Sequence, residues 1–371
     1  MSKFDTAKYI GSAIFKRQAF GKNHPLAFSR HSSVLEMCNS LNWLPKEKFV
    51  EVAPAPIDTL TKLHSIDYIE ALSSAVKSGK VTQEVRNKYN IGTMENPVFD
   101  GLFDRAATTV AGSIKAANLV LDGGLVFHPS GGTHHGRPDK ASGFCYFNDP
   151  AFAILSLLEH GITNIIYVDV DAHHGDGVQD AFAGDDRVHT FSIHEEKRWP
   201  YSGAADDRGG GRSYNFPVPK GVNDSEYQYI LDNAVLPTIG KLKPDAVVIT
   251  CGADALEGDP LSSMNLSNNA LWSAVLSVVN LADRAIVLGG GGYNPWTTTR
   301  CWAGLWGKLS GQELSAVLPS KAQDLLSVFE SDLVDEEDVN PLWLVSLSDE
   351  ANKGDVRAEV EQLTENVMSG R

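Results

Sequence analysis

The thirteen residues Ile165–Gly177, reading IIYVDVDAHHGDG, constrain this chain more than any other stretch. They begin as the apolar, β-branched run of a strand buried on both faces and end in acids and imidazoles. Side chains alternate along a strand, so Asp169, Asp171 and, while the chain stays extended, His173 share one face. Carboxylates aimed at one point repel each other unless a cation lies between them. The stretch therefore predicts a metal site at the end of a central strand.

The rest of the chain supplies a frame for such a strand. Strand signals recur at Leu125–Phe127, Val188–Ile193, Ala246–Cys251 and Ala285–Leu288, with Ile165–Asp171 among them. Helical periodicity covers Arg30–Leu41, Phe103–Leu121, Ala151–Leu158 and the run from Leu271 to Val279. Buried strands alternating with helices predict an α/β fold: a single open, mostly parallel sheet with helices on both faces. Ligands of such sheets bind beyond the carboxyl ends of the strands. The polar motifs HPSGGTHHG, DAHHGDG, GADALEGDP and GGGGYNP follow four of these strands, so they converge on one rim. We expect residues 1–371 to form one domain, with a motif-bearing core at about 20–310. An acidic stretch, ESDLVDEEDV, opens the 321–371 tail, whose Val356, Val360, Leu363 and Val367 predict a helix packed on the outside.

A net charge of −15 argues against nucleic-acid binding, which needs a basic face, and is compatible with a cationic substrate. The four cysteines form no CxxC pair, which predicts neither a zinc knuckle nor a disulfide framework and fits a reducing compartment. No apolar run approaches the ~18 residues of a membrane span, and the expected location is the cytoplasm.

Eight of the eleven histidines lie between His128 and His194, four of them in the pairs His134-His135 and His173-His174. Asp171, His173 and Asp259 are the nominated metal ligands, with Asp254 a rival in the same loop as Asp259. One imidazole and two carboxylates leave a position for water and substrate, as a catalytic zinc requires, and would also admit iron, manganese or cobalt. His134 and His135 are candidates for proton transfer, and each needs a carboxylate to fix its tautomer; Asp169 and Asp176 are the acids left over. The run Gly289–Gly292 matches no phosphate loop; it reads as a Cβ-free turn that brings Tyr293 close enough to donate to an oxyanion.

Together the motifs GGTHHGRPDKASGFCYFND, YVDVDAHHGDGVQDAF, GADALEGDPLSSMNL and GGGGYN…RCW resemble the zinc-dependent histone deacetylase family, in family order and over about residues 20–310. ASGFCYFND places the likeness nearer the class I and bacterial acetoin-utilisation branches, and acetylpolyamine amidohydrolases are relatives. The resemblance implies an arginase/deacetylase-like fold and hydrolysis of an acetyl or short acyl group from an acyl-lysine side chain or an acetylated polyamine. It implies one zinc ion on Asp171, His173 and Asp259, replaceable by iron or cobalt, and tandem histidines His134 and His135 backed by Asp169 and Asp176. Tyr293 takes the transition-state role. Gly143, Phe144, Trp199 and Leu266 match the tunnel for the acyl-lysine stem. A structural potassium ion would use Asp169, Asp171, His173, Ser192 and the backbone of Ile193. Two positions depart from the pattern. Trp199 is larger than the usual phenylalanine, and Glu95 is the nearest match to the acid that grips the substrate backbone, one residue out of step and one methylene longer. Competing readings are a two-manganese ureohydrolase, in which Tyr293 and the tandem histidines have no task, and a non-catalytic acyl-amine binder.

Overall fold

In the computed structural model, which describes residues 2–17 and 20–370, eight strands form one sheet. They are β1 (Lys8–Gly11), β2 (Phe49–Glu51), β3 (Gly124–His128), β4 (Ile165–Asp169), β5 (Val188–Glu195), β6 (Ser213–Val218), β7 (Ala246–Thr250) and β8 (Arg284–Leu288). Their order is β2-β1-β3-β8-β7-β4-β5-β6, and every neighbouring pair is parallel. Strands β1, β2 and β6 carry no clear period in the sequence. β2 has only three residues, and β6 includes Pro217, which cannot donate to a ladder and is tolerated here because β6 is an edge.

Strand β4 lies between β7 and β5, with Ile165 opposite Ala246 and Val188 and Asp169 opposite Thr250 and Ser192. Alternation sorts its side chains into two cores. Ile165 and Tyr167 join Val126, Val248 and Ile286 beneath the helices Leu102–Leu119 and Asp149–Glu159. Ile166 and Val168 join Phe191, Val247 and Ile249 on the other face, beneath the helices Asn268–Val279 and Pro295–Leu309. Both faces are covered, which is why these strands read as unbroken apolar runs.

The strand ends at Asp169, two residues short of the sequence expectation. The Asp171 N–H donates to Asp169 Oδ1 at 3.2 Å and the His173 N–H to Asp171 Oδ1 at 2.9 Å, so side chains draw the backbone away from the ladder. At the end of β8 the glycine run leads into Asn294, whose side chain accepts from the Trp296 and Thr297 N–H groups and starts the helix Pro295–Leu309. That helix is buried almost all round, and Trp302 Nε1 donates to the Cys251 carbonyl at 2.9 Å, tying it to the end of β7. The C-terminal helix Ala358–Ser369 places Val360 and Val367 in the same core. Among the described residues no helix is long and apolar enough to cross a membrane.

Candidate metal centre and its histidine pair

The loops after β3, β4, β7 and β8 meet where the motifs placed them. Asp171, His173 and Asp254 offer ligand atoms that all lie within 4.8 Å of one another, and all three residues are buried. His173 Nδ1 stands 2.9 Å from Asp254 Oδ2 and 3.2 Å from Asp171 Oδ1. Burial pushes the Asp254 carboxyl up to about 6, reinforced by the charge of Asp171. Burial also opposes a charge on His173, yet the two carboxylates outweigh it and raise the imidazole to about 10. Two buried acids and an imidazole at such separations form a donor set suited to one divalent cation.

Asp259 is not part of this cluster. Its Oδ2 accepts from the Tyr293 N–H at 2.7 Å and its Oδ1 from the Leu261 N–H at 2.9 Å, so backbone donors hold both oxygens. The nominated Asp259 thus stands outside the group of ligand atoms that meet within 4.8 Å, and its rival Asp254, whose other oxygen accepts from the Ala172 N–H at 3.1 Å, stands inside it. The glycines make room for the acids. A Cβ on Gly252 would come within 2.1 Å of Asp171 Oδ2, and one on Gly291 within 2.0 Å of Asp254 Oδ2. Gly291 also donates its N–H to Asp171 Oδ2 at 2.6 Å. The Gly289–Gly292 turn thus surrounds the carboxylates, as its lack of Cβ atoms implied.

Beside the acids, His134 Nδ1 lies 2.6 Å from Asp169 Oδ2, which also accepts from the Tyr167 hydroxyl at 2.6 Å. His135 Nδ1 lies 2.7 Å from Asp176 Oδ1, whose second oxygen pairs with Arg137. Each ring therefore presents its Nε2 away from its own carboxylate. Burial disfavours a charge on both rings. For His134 the carboxylates of Asp169 and Asp171 reverse this and raise it to about 9, whereas burial and the neighbouring His134 push His135 down to about 3.

Trp199 stands edge-on to His135 at 4.6 Å between ring centroids, and Phe144 faces Tyr293 at 6.0 Å. A Cβ on Gly143 would come within 2.4 Å of Trp199, so glycine there permits the larger ring. Leu266 is fully buried in the main core, its N–H donates to the Ala255 carbonyl at 3.2 Å, and it lines a cavity with Asp259 and Pro260. Glu95 is half-buried; its Oε1 accepts from the Gly143 N–H at 2.7 Å and its Oε2 from Asn90 Nδ2 at 3.0 Å, so it braces the turn that carries Phe144. Ser192 hydrogen-bonds His194 Nδ1 at 2.9 Å, and Ile193 follows it along β5.

Sequence reading missed three supporting residues. Arg30 Nη1 donates to the Gly290 carbonyl at 2.8 Å and steadies the glycine turn. Arg137 secures Asp176. His64 donates from Nδ1 to the Arg137 carbonyl at 2.9 Å and accepts at Nε2 from the Asn148 N–H at 3.1 Å, which fixes a neutral tautomer. Arg30 and His64 lie outside the motifs, and Arg137 lies within GGTHHGRPDKASGFCYFND without a spacing that announces its role. A cavity of about 100 Å3 is lined by Arg30, His31, Arg105, His134, His135 and Tyr293, together with Gly143 and Phe144 of the tunnel wall.

The His64 arrangement carries a pH prediction. Burial lowers its pKa to about 4, below the ~6.5 of an unfolded chain, so the unfolded state binds more protons between those values. Its stabilising share is complete above about pH 6.5 and falls as pH drops, by about 2 kcal/mol at pH 5. Denaturant unfolding of the native chain and of His64→Gln at pH 7 and pH 5 should give a smaller acid loss in the variant. Equal losses would refute it.

A profile described as histone deacetylase domain matches residues 24–309. The acetoin utilization protein AcuC of Staphylococcus aureus (strain MSSA476) is 32% identical over 326 residues, covering 84% of each chain. Histone deacetylase 8 of Xenopus tropicalis is 32% identical over 298 residues, covering 78% of this chain and 80% of its own. The crystal structure of an HDAC homolog from Aquifex aeolicus superposes with a TM-score of 0.91 at 34% identity, over 98% of this chain and 99% of the other. A structure of an HDAC homolog complexed with SAHA gives 0.92 at the same identity and coverage.

Proposed function

Because the chain belongs to the histone deacetylase family, we propose that it is a zinc-dependent amidohydrolase that removes acetyl or short acyl groups from Nε-acyl-lysine side chains, releasing acetate from the acetylated substrate. One observation carries the reading: two histidine–aspartate pairs, the acid–imidazole cluster and a tyrosine hydroxyl without a hydrogen-bond partner among the described residues meet at one rim.

Asp171, His173 and Asp254 would hold the metal, which when bound supplies Lewis acidity toward the acyl carbonyl and lowers the pKa of water. His135 is the general base. Asp176 engages its Nδ1, leaving Nε2 free to accept a proton from the attacking water and return it to the leaving amine. His134, held by Asp169, contributes electrostatics. Tyr293 donates its hydroxyl hydrogen to the oxyanion. Phe144 and Trp199 flank the methylene stem and exclude water from the scissile bond. The cavity that His134 and His135 line gives the acyl product volume to move into. A structural potassium ion on Asp169, Asp171, His173, Ser192 and Ile193 belongs to the same reading, supported by the pairing of Asp169 with Ser192 across β4 and β5.

Acetate release from an acetyl-lysine peptide tests the proposal. Turnover should vanish with a chelator and return with zinc at about one ion per chain. Two ions per chain would favour the ureohydrolase reading, and absence of acetate from both an acetyl-lysine peptide and an acetylated polyamine with zinc bound would favour an acyl-amine binder.

A further inference from the structure

Glu95 is engaged by Gly143 and Asn90, and further acids approach Tyr293 from the C-terminal tail. Between Val328 and Asn340 the tail carries six acids and no base. Its start is pinned against the site. Phe329 packs edge-on to Phe28 at 5.2 Å and to Trp296 at 6.2 Å, and Trp296 Nε1 donates to the Leu326 carbonyl at 3.0 Å. Glu330 and Asp332 are exposed and make no ion pair or side-chain hydrogen bond among the described residues. Both line a cavity of about 330 Å3 with Lys22, His24, Phe28 and Tyr293. Tyr293 is only 8% exposed, and its hydroxyl has no partner among the described residues. A buried, unpartnered donor in the same cavity ties the acids to the place where substrate must sit. Lys22 is the single ammonium against these two carboxylates, so the cavity is net acidic.

We infer that Glu330 and Asp332 form a cation subsite that recognises positive charge on the amine half of the substrate, beyond the acylated stem. The inference rests on the amidohydrolase reading and sharpens its substrate class. A base next to acyl-lysine in a polypeptide and the free ammonium of an acylated polyamine share this chemistry. In either, a cation held outside the tunnel meets unpaired carboxylates at modest desolvation cost, which favours capture over chemistry.

The test uses the full zinc-loaded chain and acetyl-lysine peptides that differ only in Lys, Gln or Glu as flanking residues, together with N-acetylputrescine and its uncharged analogue N-butylacetamide. At low salt the Lys-flanked peptide should exceed the Gln-flanked one in kcat/KM by about 10-fold, and the gap should shrink with added salt. The double variant Glu330→Gln/Asp332→Asn should reduce that ratio to about 2-fold or less. Asp122→Asn/Asp245→Asn removes equal charge at the opposite, amino ends of β3 and β7 and should leave the ratio unchanged. A larger charged-to-neutral ratio for the putrescine pair than for the peptides assigns the subsite to polyamines; the reverse assigns it to basic polypeptides. A native ratio near one, or a ratio that survives the double variant, overturns the subsite while the hydrolase stands. No turnover of any substrate sinks both.

Discussion

Asp254→Asn should strip the site of its metal and its activity together, whereas Asp259→Asn should not. The amide offers a neutral oxygen in place of the carboxylate that stands 2.9 Å from His173 Nδ1, so one of the two anionic donors disappears from a buried site. Loss of an outer supporting partner costs about 10–100-fold in affinity or activity, and loss of a direct ligand should cost more than about 100-fold. Asp259 instead receives the backbone N–H groups of Tyr293 and Leu261. An asparagine there keeps one acceptor, so metal content should remain near one per chain while turnover falls by about 10-fold or less through a displaced Tyr293. Metal analysis after dialysis, beside turnover at saturating zinc, separates the two. Metal loss from the Asp259 variant with retention in the Asp254 variant would restore Asp259 as the ligand.

Tyr293→Phe should divide the same two quantities differently. The substitution keeps the ring and its 6.0 Å contact with Phe144 while deleting the hydroxyl. Metal content and substrate affinity should match the native chain, because the lost hydrogen bond is needed only once charge develops on the acyl oxygen. Removal of one oxyanion donor costs about 100- to 1,000-fold in kcat. A variant within a few-fold of the native rate would remove Tyr293 from the mechanism, and a loss expressed mainly in KM would recast it as a ground-state binder.

Much of this site is legible in the order of residues. The β4 run, the acids two apart at its end, the tandem histidines after β3 and the glycine turn after β8 are local patterns, each set by side-chain alternation or by the steric freedom of glycine. The carboxylate partners of His134 and His135 could be read by elimination, because few acids lie in the motifs. Residues that act at long sequence separation were not visible. Arg30 grips a turn 260 residues away, and His64 locks a loop 84 residues away, and neither position has a local period that marks it.

What the sequence alone determined is the strand and its chemistry: a buried β4 whose carboxyl end must gather acids and imidazoles, within a sheet covered on both faces. Only the tertiary structure shows that Asp254 and not Asp259, five residues apart in one polar loop, comes within 4.8 Å of Asp171 and His173. The choice depends on which carboxylate the Gly289–Gly292 turn and the Ala172 N–H press against Asp171 and His173, and which one the Tyr293 backbone draws aside. The same packing buried Leu266 and turned Glu95 onto Gly143. Spacing along the chain fixes what a loop can offer, but close approach and competition for backbone donors fix which side chain is used.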